Sequence, residues 1–168
     1  MRKIIYLILL SFPLFIGSSN EFDNPSDYFP VLMERSELEK SVFYRTPQDI
    51  VNPGKIYYKD NTIYLVEKYK GVHVIDNTNP SNPQNNAFIN IPGCIDIAIK
   101  NNSLMADNAI DLVSVDLSEG VENINVTKRV MNIFPESTPP DLDYIPYMFN
   151  HSNRPENTII VGWEKNNL

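Results

Sequence analysis

The N-terminal half of the chain contains short apolar runs separated by turn-forming residues. Lys55–Lys59 and Thr62–Val66 are rich in β-branched and aromatic residues, and the Asp60-Asn61 pair between them is a two-residue hairpin signal. Gly71–Asp76 and Asn86–Asn90 follow as further apolar runs. This pattern predicts a four-stranded antiparallel unit over about residues 54–93.

The same pattern recurs about 41 residues further along. Lys59 recurs as Lys100 at a spacing of 41, and the strand that ends at Asp76 recurs at a spacing of 40, ending at Asp116. The second unit is therefore expected over about residues 94–134, again with four strands.

A third copy starts near Asn157, where Asn157–Glu164 echoes Asn61–Glu67. A period near 40 residues made of short strands is typical of propeller blades. We therefore predict an all-β, β-propeller-like fold with two four-stranded antiparallel blades and the start of a third.

Stacked blades bury both faces, so an isolated blade would leave apolar surface open. We expect the ring to be completed by further repeats, this chain being the N-terminal part of a longer protein. The alternative is that several copies complete one another by strand exchange.

The segments outside the repeats carry weaker signals. Ser36 followed by Glu39 is a capping box and predicts a short helix at about 36–43 that covers the first blade, with a loop over 45–53. Ile145–Phe149 is a weak strand candidate.

The first residues have the composition of a signal peptide. Arg2 and Lys3 precede an apolar run, and Gly17 and Ser19 are the small residues of a cleavage site. We predict a signal peptide at 1–19, a tether at 20–30 and an incomplete repeat domain at 31–168. The protein is then exported to the periplasm, the outer membrane or the cell surface.

The net charge limits the kinds of partner that the protein can bind, and the cysteine count excludes an internal disulfide. Without Arg2 and Lys3 the mature chain has 12 basic and 21 acidic residues, a net charge of −9. Nucleic acid and anionic lipid would repel such a chain. The single cysteine, Cys94, excludes an internal disulfide and is predicted to be a small buried core residue.

The histidines do not suggest a catalytic or metal site. His73 lies in mid-strand between two valines, which favours a hydrogen-bonded structural role, and His151 is expected on an exposed loop. No spacing joins them to Cys94 as a zinc site.

The acids at strand ends are predicted to be structural. Asp76 and Asp116 end equivalent strands before loops, where a carboxylate accepts backbone N–H bonds. The alternative is a calcium site in which Asp96, Asp107 and Asp111 cluster at one rim, although the regular calcium-loop motif is absent.

No catalytic motif is found in the sequence, which lacks a nucleophile elbow, a zinc-protease motif and a phosphate-binding glycine loop. We predict no catalytic, cofactor-binding or metal-binding residue. Five aromatic residues are read as strand formers, with a ligand surface as the alternative: Tyr57, Tyr58, Tyr64, Tyr69 and Trp163.

Two segments, Gly71–Asp76 and Asp111–Asp116, resemble the core of the LVIVD-repeat family, and the longer run from Tyr64 to Pro80 resembles its first blade. The resemblance extends from about Pro30 to the C-terminus. It implies an exported, β-propeller-like protein, often a lipoprotein, without an agreed catalytic role. The sequence departs from the lipoprotein pattern at Ser18, where the lipid-bearing cysteine would stand. Membrane proximity is therefore expected without a lipid anchor of its own.

These observations predict a non-enzymatic binding or scaffold module of an exported cell-envelope protein, whose partner is an envelope protein or a glycan. The alternative is a propeller-type hydrolase whose active site depends on blades missing from this chain. In that case, rim acids such as Asp96 or Asp107 would be needed for turnover.

Overall fold

The computed structural model describes residues 25–165, so the predicted signal peptide and the first part of the predicted tether lie outside the described residues. Every strand pairing in this range is antiparallel, which confirms the all-β prediction. The main elements are β1 (Tyr28–Glu34), α1 (Arg35–Leu38), β2 (Phe43–Arg45), β3 (Pro53–Lys59), β4 (Thr62–Glu67), β5 (Gly71–Asp76), β6 (Gln84–Asn90), β7 (Ile97–Lys100), β8 (Ser103–Asn108), β9 (Asp111–Asp116), β10 (Asn125–Val130) and β11 (Thr158–Lys165).

Each predicted unit forms one sheet. Sheet one has the strand order β2-β6-β5-β4-β3, and sheet two has the order β10-β9-β8-β7. The fifth strand of sheet one, β2, was not predicted. No sheet closes on itself within residues 25–165, and β1 and β11 form a separate two-stranded sheet.

The tight turns explain the strand registers. In the β3–β4 hairpin, Asp60 and Asn61 both have positive φ, at 49° and 60°, and Lys59 pairs with Thr62. Asn and Asp tolerate this left-handed backbone better than most residues. The predicted two-residue hairpin is therefore confirmed. Asn101, in the equivalent turn of sheet two, has a φ of 53°.

The two sheets pack face to face around one apolar core. Sheet one contributes Val66, Val72 and Ile89, and sheet two contributes Leu104 and Val113, all of them fully buried. At the edge of this contact, Tyr57 donates its hydroxyl to the carbonyl of Ile99 at 2.8 Å. Burial of this apolar surface is the main stabilising term for the sheet pair.

The two sheets have the same orientation in the stack. This follows from comparing equivalent repeat positions in the two sheets. We call the face of sheet one that contacts sheet two its back face; it carries Tyr57, Tyr64 and Val72. The equivalent positions of sheet two, Ala98, Met105 and Leu112, do not face sheet one but line a cavity on the far side. Each sheet thus has a front face and a back face, and the front of sheet two contacts the back of sheet one.

The front faces show the same equivalence. Ile97 and Ile99, on the front of sheet two, are 9% and 7% exposed in the core. Their equivalents on the front of sheet one, Ile56 and Tyr58, are 67% and 56% exposed. The same repeat position is therefore buried where a neighbouring sheet exists and exposed where none does.

In the region of the predicted third unit, the described residues up to 165 form one strand, β11, which pairs with β1. Ile159 and Val161 of β11 pack with Leu38 and with Ala109 and Ile110 in the β8–β9 turn. A Cβ added to Gly162 would lie 3.0 Å from the Cβ of Tyr69, in the β4–β5 turn. The β1–β11 sheet therefore lies across the end of the two main sheets, and β11 does not stack on sheet two as a third layer.

The predicted helix at 36–43 was too long, since α1 ends at Leu38. The Leu38 carbonyl accepts hydrogen bonds from the Ser41 N–H at 3.2 Å and the Ser41 hydroxyl at 2.8 Å, which turns the chain. Beyond this turn Phe43–Arg45 pairs with β6. Strand pairing overrides the local helical preference here.

Two other expectations differ from the structure. The weak strand candidate Ile145–Phe149 is wrong, because Tyr147–Phe149 forms a 3-10 turn that follows Pro146. The end of the predicted tether is ordered as strand, since β1 begins at Tyr28 and pairs with Lys165.

Candidate functional site

A cleft of about 790 Å³ lies on the back face of sheet two. One wall is the sheet itself, and the segment 134–138 and β11 form the other. Its main apolar lining residues are Tyr69, Ala98, Met105, Leu112, Phe134 and Ile160. A concave, mostly apolar surface of this volume has the size of a ligand or peptide site.

Asp107 is the main polar group on the sheet wall. It occupies the position equivalent to Val66 of sheet one and is 9% exposed. Its carboxylate accepts the Ile95 N–H at 3.0 Å and the Asp96 N–H at 2.8 Å. Burial raises the pKa of Asp107, and these backbone donors act in the opposite direction. Asp107 therefore fastens the turn before β7, and its oxygens are already occupied.

The acid on the opposite wall, Glu136, is also paired. Arg154 donates to Glu136 through both terminal nitrogens, one contact being 2.9 Å. Arg154 also donates to the Thr158 carbonyl at 3.1 Å, and its side chain is 3% exposed. This pair ties the segment 134–138 to β11 and leaves the cleft with little free charge.

Asp111 lies in a different environment from Asp107. Its side chain is fully buried and accepts from Arg35 at 2.8 and 2.9 Å and from Arg129 at 2.7 Å. Burial opposes ionisation of Asp111, but the hydrogen bonds from Arg35, Asn132 and Arg129 outweigh it and lower the pKa of this carboxyl. The carboxylate joins α1, β9 and β10, so it is not available to a cation.

The calcium alternative finds no support in this geometry. Asp96 pairs with Lys55, Asp107 binds backbone amides and Asp111 binds two arginines. Within residues 25–165, no three His, Cys, Asp or Glu side chains are grouped closely enough to hold a metal ion.

The strand-end acids have the structural role predicted for them. Asp76 accepts the Thr78 N–H at 2.8 Å, and Asp116 accepts the Ser118 N–H at 2.9 Å. The Thr78 and Ser118 hydroxyl groups also donate to these two carboxylates. These bonds lower the pKa of both carboxyls and hold the loop that follows each strand.

His73 is a structural residue, as predicted. It is fully buried, its Nε2 lies 3.2 Å from Glu67 Oε2, and its ring packs edge-on against Phe88. Glu67 also accepts the N–H groups of Val51 and Asn52. The cluster thus holds the segment 46–52 on the front face of sheet one. His151 is exposed on a turn, also as predicted.

The Glu67 carboxyl makes stability depend on acid pH. Burial opposes ionisation of Glu67, but the bonds from Val51, Asn52 and His73 outweigh it and lower its pKa. A lowered folded-state pKa means that the stabilisation is present above the unfolded-state pKa and is lost as the pH falls through the folded-state value. We expect Glu67→Gln to be less stable than wild type at pH 5 and to lose less stability between pH 5 and pH 3.

This expectation is checked by urea unfolding of both proteins at the two pH values. Asp76→Asn is the control, because Asp76 also has a lowered pKa but is solvent-exposed. Equal losses for wild type and Glu67→Gln would contradict the assignment.

Cys94 is a buried core residue, as predicted. It is fully buried in the core between the sheets, and burial raises the pKa of its thiol well above the usual value. Its Sγ lies 3.7 Å from the Asp96 carbonyl. A thiol in this position stays protonated and unreactive.

The five aromatic residues are not gathered on one surface. Tyr57 and Tyr64 pack in the core between the sheets, whereas Tyr58 is exposed on the front face. Trp163 is buried and donates its indole N–H to the Ser137 carbonyl at 3.1 Å. Tyr69 alone of the five lines the cleft on sheet two. Tyr69 and Trp163 also line a second cavity of about 670 Å³ on the front side of sheet one.

Sequence reasoning missed the charged partners Arg35, Arg129, Glu136 and Arg154. Their contacts join residues that are far apart in the chain, 76 positions in the case of Arg35 and Asp111. One signal was available: Asp111 opens an apolar strand, where a charge needs a partner. The repeat spacing could also have placed Ala98, Met105 and Leu112 on one face of a sheet, once it was known that each repeat forms its own sheet.

No protein-family model, curated protein or solved structure matches the chain. None of the helices within residues 25–165 has the length and apolar character that a membrane span requires.

Proposed function

We propose that the protein is a non-enzymatic binding or scaffold module of an exported cell-envelope protein, built from propeller-type sheets of the LVIVD-repeat kind. The binding surface is the apolar cleft on the back face of sheet two. The predicted signal peptide at 1–19 supports the location, and the resemblance of Gly71–Asp76 to that family supports the architecture. The partner is an envelope protein or glycan.

The single observation that carries this proposal is the pairing state of the acids around an open apolar cleft. Asp96, Asp107 and Glu136 line it, and each of the three carboxylates is held by donors within the chain. A glycosidase needs two carboxyl groups that face its substrate. The hydrolase alternative therefore has no favouring observation in the part of the chain that is described.

Leu112→Asp tests the cleft as a binding surface. A charge placed on its apolar wall is expected to abolish binding to envelope peptides or glycans retained by the wild type, because burying an unpaired carboxylate is costly. The measurement is retention on peptide and glycan arrays by the mature chain. Tyr147→Asp is the control, since Tyr147 is 74% exposed and lies outside the cleft.

Two results would contradict the proposal. One is that neither array retains the wild type although its cleft is not occupied by another chain, and the other is that Leu112→Asp binds as well as Tyr147→Asp does. Turnover of an array glycan or peptide that is lost in Asp107→Asn would favour the hydrolase instead.

A further inference from the structure

Sheet one and sheet two stack front to back, so the pair has two unlike ends. One end is the front of sheet one, where Ile56 and Tyr58 are exposed. The other end is the back of sheet two, where Ala98, Met105 and Leu112 line the cleft. These are the repeat equivalents of the two surfaces that already bind each other between the sheets.

From this we infer that the cleft receives the front face of sheet one of a second copy of this chain, giving head-to-tail association. The inference deepens the proposed function by naming the partner of the same surface. The second copy repeats a contact that the structure already contains, with Ile56 and Tyr58 in the places of Ile97 and Ile99.

The charges beside the edge strands β3 and β7 favour this partner. Lys55 of sheet one forms an ion pair with Asp96 of sheet two, and the two occupy the same repeat position. At the new contact, Asp96 of one copy would meet Lys55 of the next. Opposite charges therefore alternate along the whole stack, which fixes register and orientation.

The front face of sheet one is open where the contact needs it. The segment 46–52 covers the side near His73 and Glu67, as its bonds to Glu67 show. The edge strand β3 stays uncovered. Ile50 and Val51, which are 46% and 72% exposed, add apolar surface. The second copy docks at the edge strand β3, beside Lys55.

A contact between unlike surfaces produces rings or open polymers, depending on whether the rotation closes. Residues 25–165 of each copy supply two main sheets, so these parts of two copies supply four, the smallest number of blades usual in propellers. We therefore expect a discrete ring of two copies or a small multiple.

Sedimentation of the mature chain over a range of concentrations tests the inference. The wild type is expected to sediment as a discrete multimer, and Ile56→Asp and Leu112→Asp are each expected to sediment as monomers. Ile56→Asp keeps the cleft intact and Leu112→Asp keeps the front face intact, so an equimolar mixture is expected to form a heterodimer through the one remaining contact. Tyr147→Asp, the control, should behave as wild type.

A dimer held by like faces, front to front or cleft to cleft, would be broken by only one of the two variants, whereas the front-to-cleft contact is broken by both and restored once in the mixture. A wild type that stays monomeric at about 1 mM, single variants that stay multimeric, or a mixture without heterodimer would each overturn the inference. A monomeric wild type that loses an array ligand in Leu112→Asp would overturn self-association and leave the proposed binding function standing.

Discussion

Asp111→Ala is expected to lower the free energy of unfolding by about 3 kcal/mol, because it removes the one carboxylate shared by two largely buried guanidinium groups. In the folded protein the Asp111 carboxylate is fully buried and bonds to Arg35, Arg129 and the Asn132 N–H. Without it, Arg129 loses its carboxylate partner, and Arg35 keeps only the more exposed ion pair with Glu39. Removing one partner of a buried ion pair is among the most destabilising single changes.

The measurement is urea unfolding followed by circular dichroism at pH 7. Asp116→Ala is the matched control, because Asp116 ends the same strand and is bonded only to the adjacent loop. We expect Asp116→Ala to cost much less than Asp111→Ala. Equal losses would show that the arginine network is not formed in solution.

Leu104→Ala is expected to cost about 2–5 kcal/mol, the range for a large core residue truncated to alanine. Leu104 is fully buried on the front face of sheet two, in the core that joins the sheets. Its removal leaves a cavity in a close-packed contact between two sheets, and the surrounding structure closes such a cavity only in part.

The matched control is Ile63→Ala, at the equivalent repeat position of sheet one. Ile63 is only half-buried, because the front face of sheet one has no neighbouring sheet. We expect a loss less than half that of Leu104→Ala in the same urea experiment. Similar losses at both positions would contradict the stacking order.

The four strands of each repeat and their order could be predicted because their signals are local. The Asp60-Asn61 turn and the strand-end acids Asp76 and Asp116 each act within a few residues, and the structure shows them as expected. The burial of His73 and Cys94 was also predictable, because a nearly continuous apolar strand is buried on both faces and an unpaired cysteine is among the most often buried residue types.

The parts that were missed depend on contacts between distant segments. The preference of 36–43 for helix was lost to pairing of Phe43–Arg45 with β6, and the position of β11 depends on β1, more than 120 residues earlier. The cleft has the same origin, because its far wall comes from the segment 134–138, which has no repeat equivalent. Local sequence patterns do not show which distant segment will pair or pack with a given strand.

Front-to-back stacking of the two duplicated sheets is the central claim, and proton–proton NMR contacts test it most directly. The account predicts nuclear Overhauser contacts between the ring of Tyr57 and Ile99, whose carbonyl accepts the Tyr57 hydroxyl at 2.8 Å. It predicts none between the ring of Tyr58, on the opposite face of β3, and sheet two of the monomeric Leu112→Asp protein. Contacts from Tyr58 to sheet two in place of those from Tyr57 would contradict it.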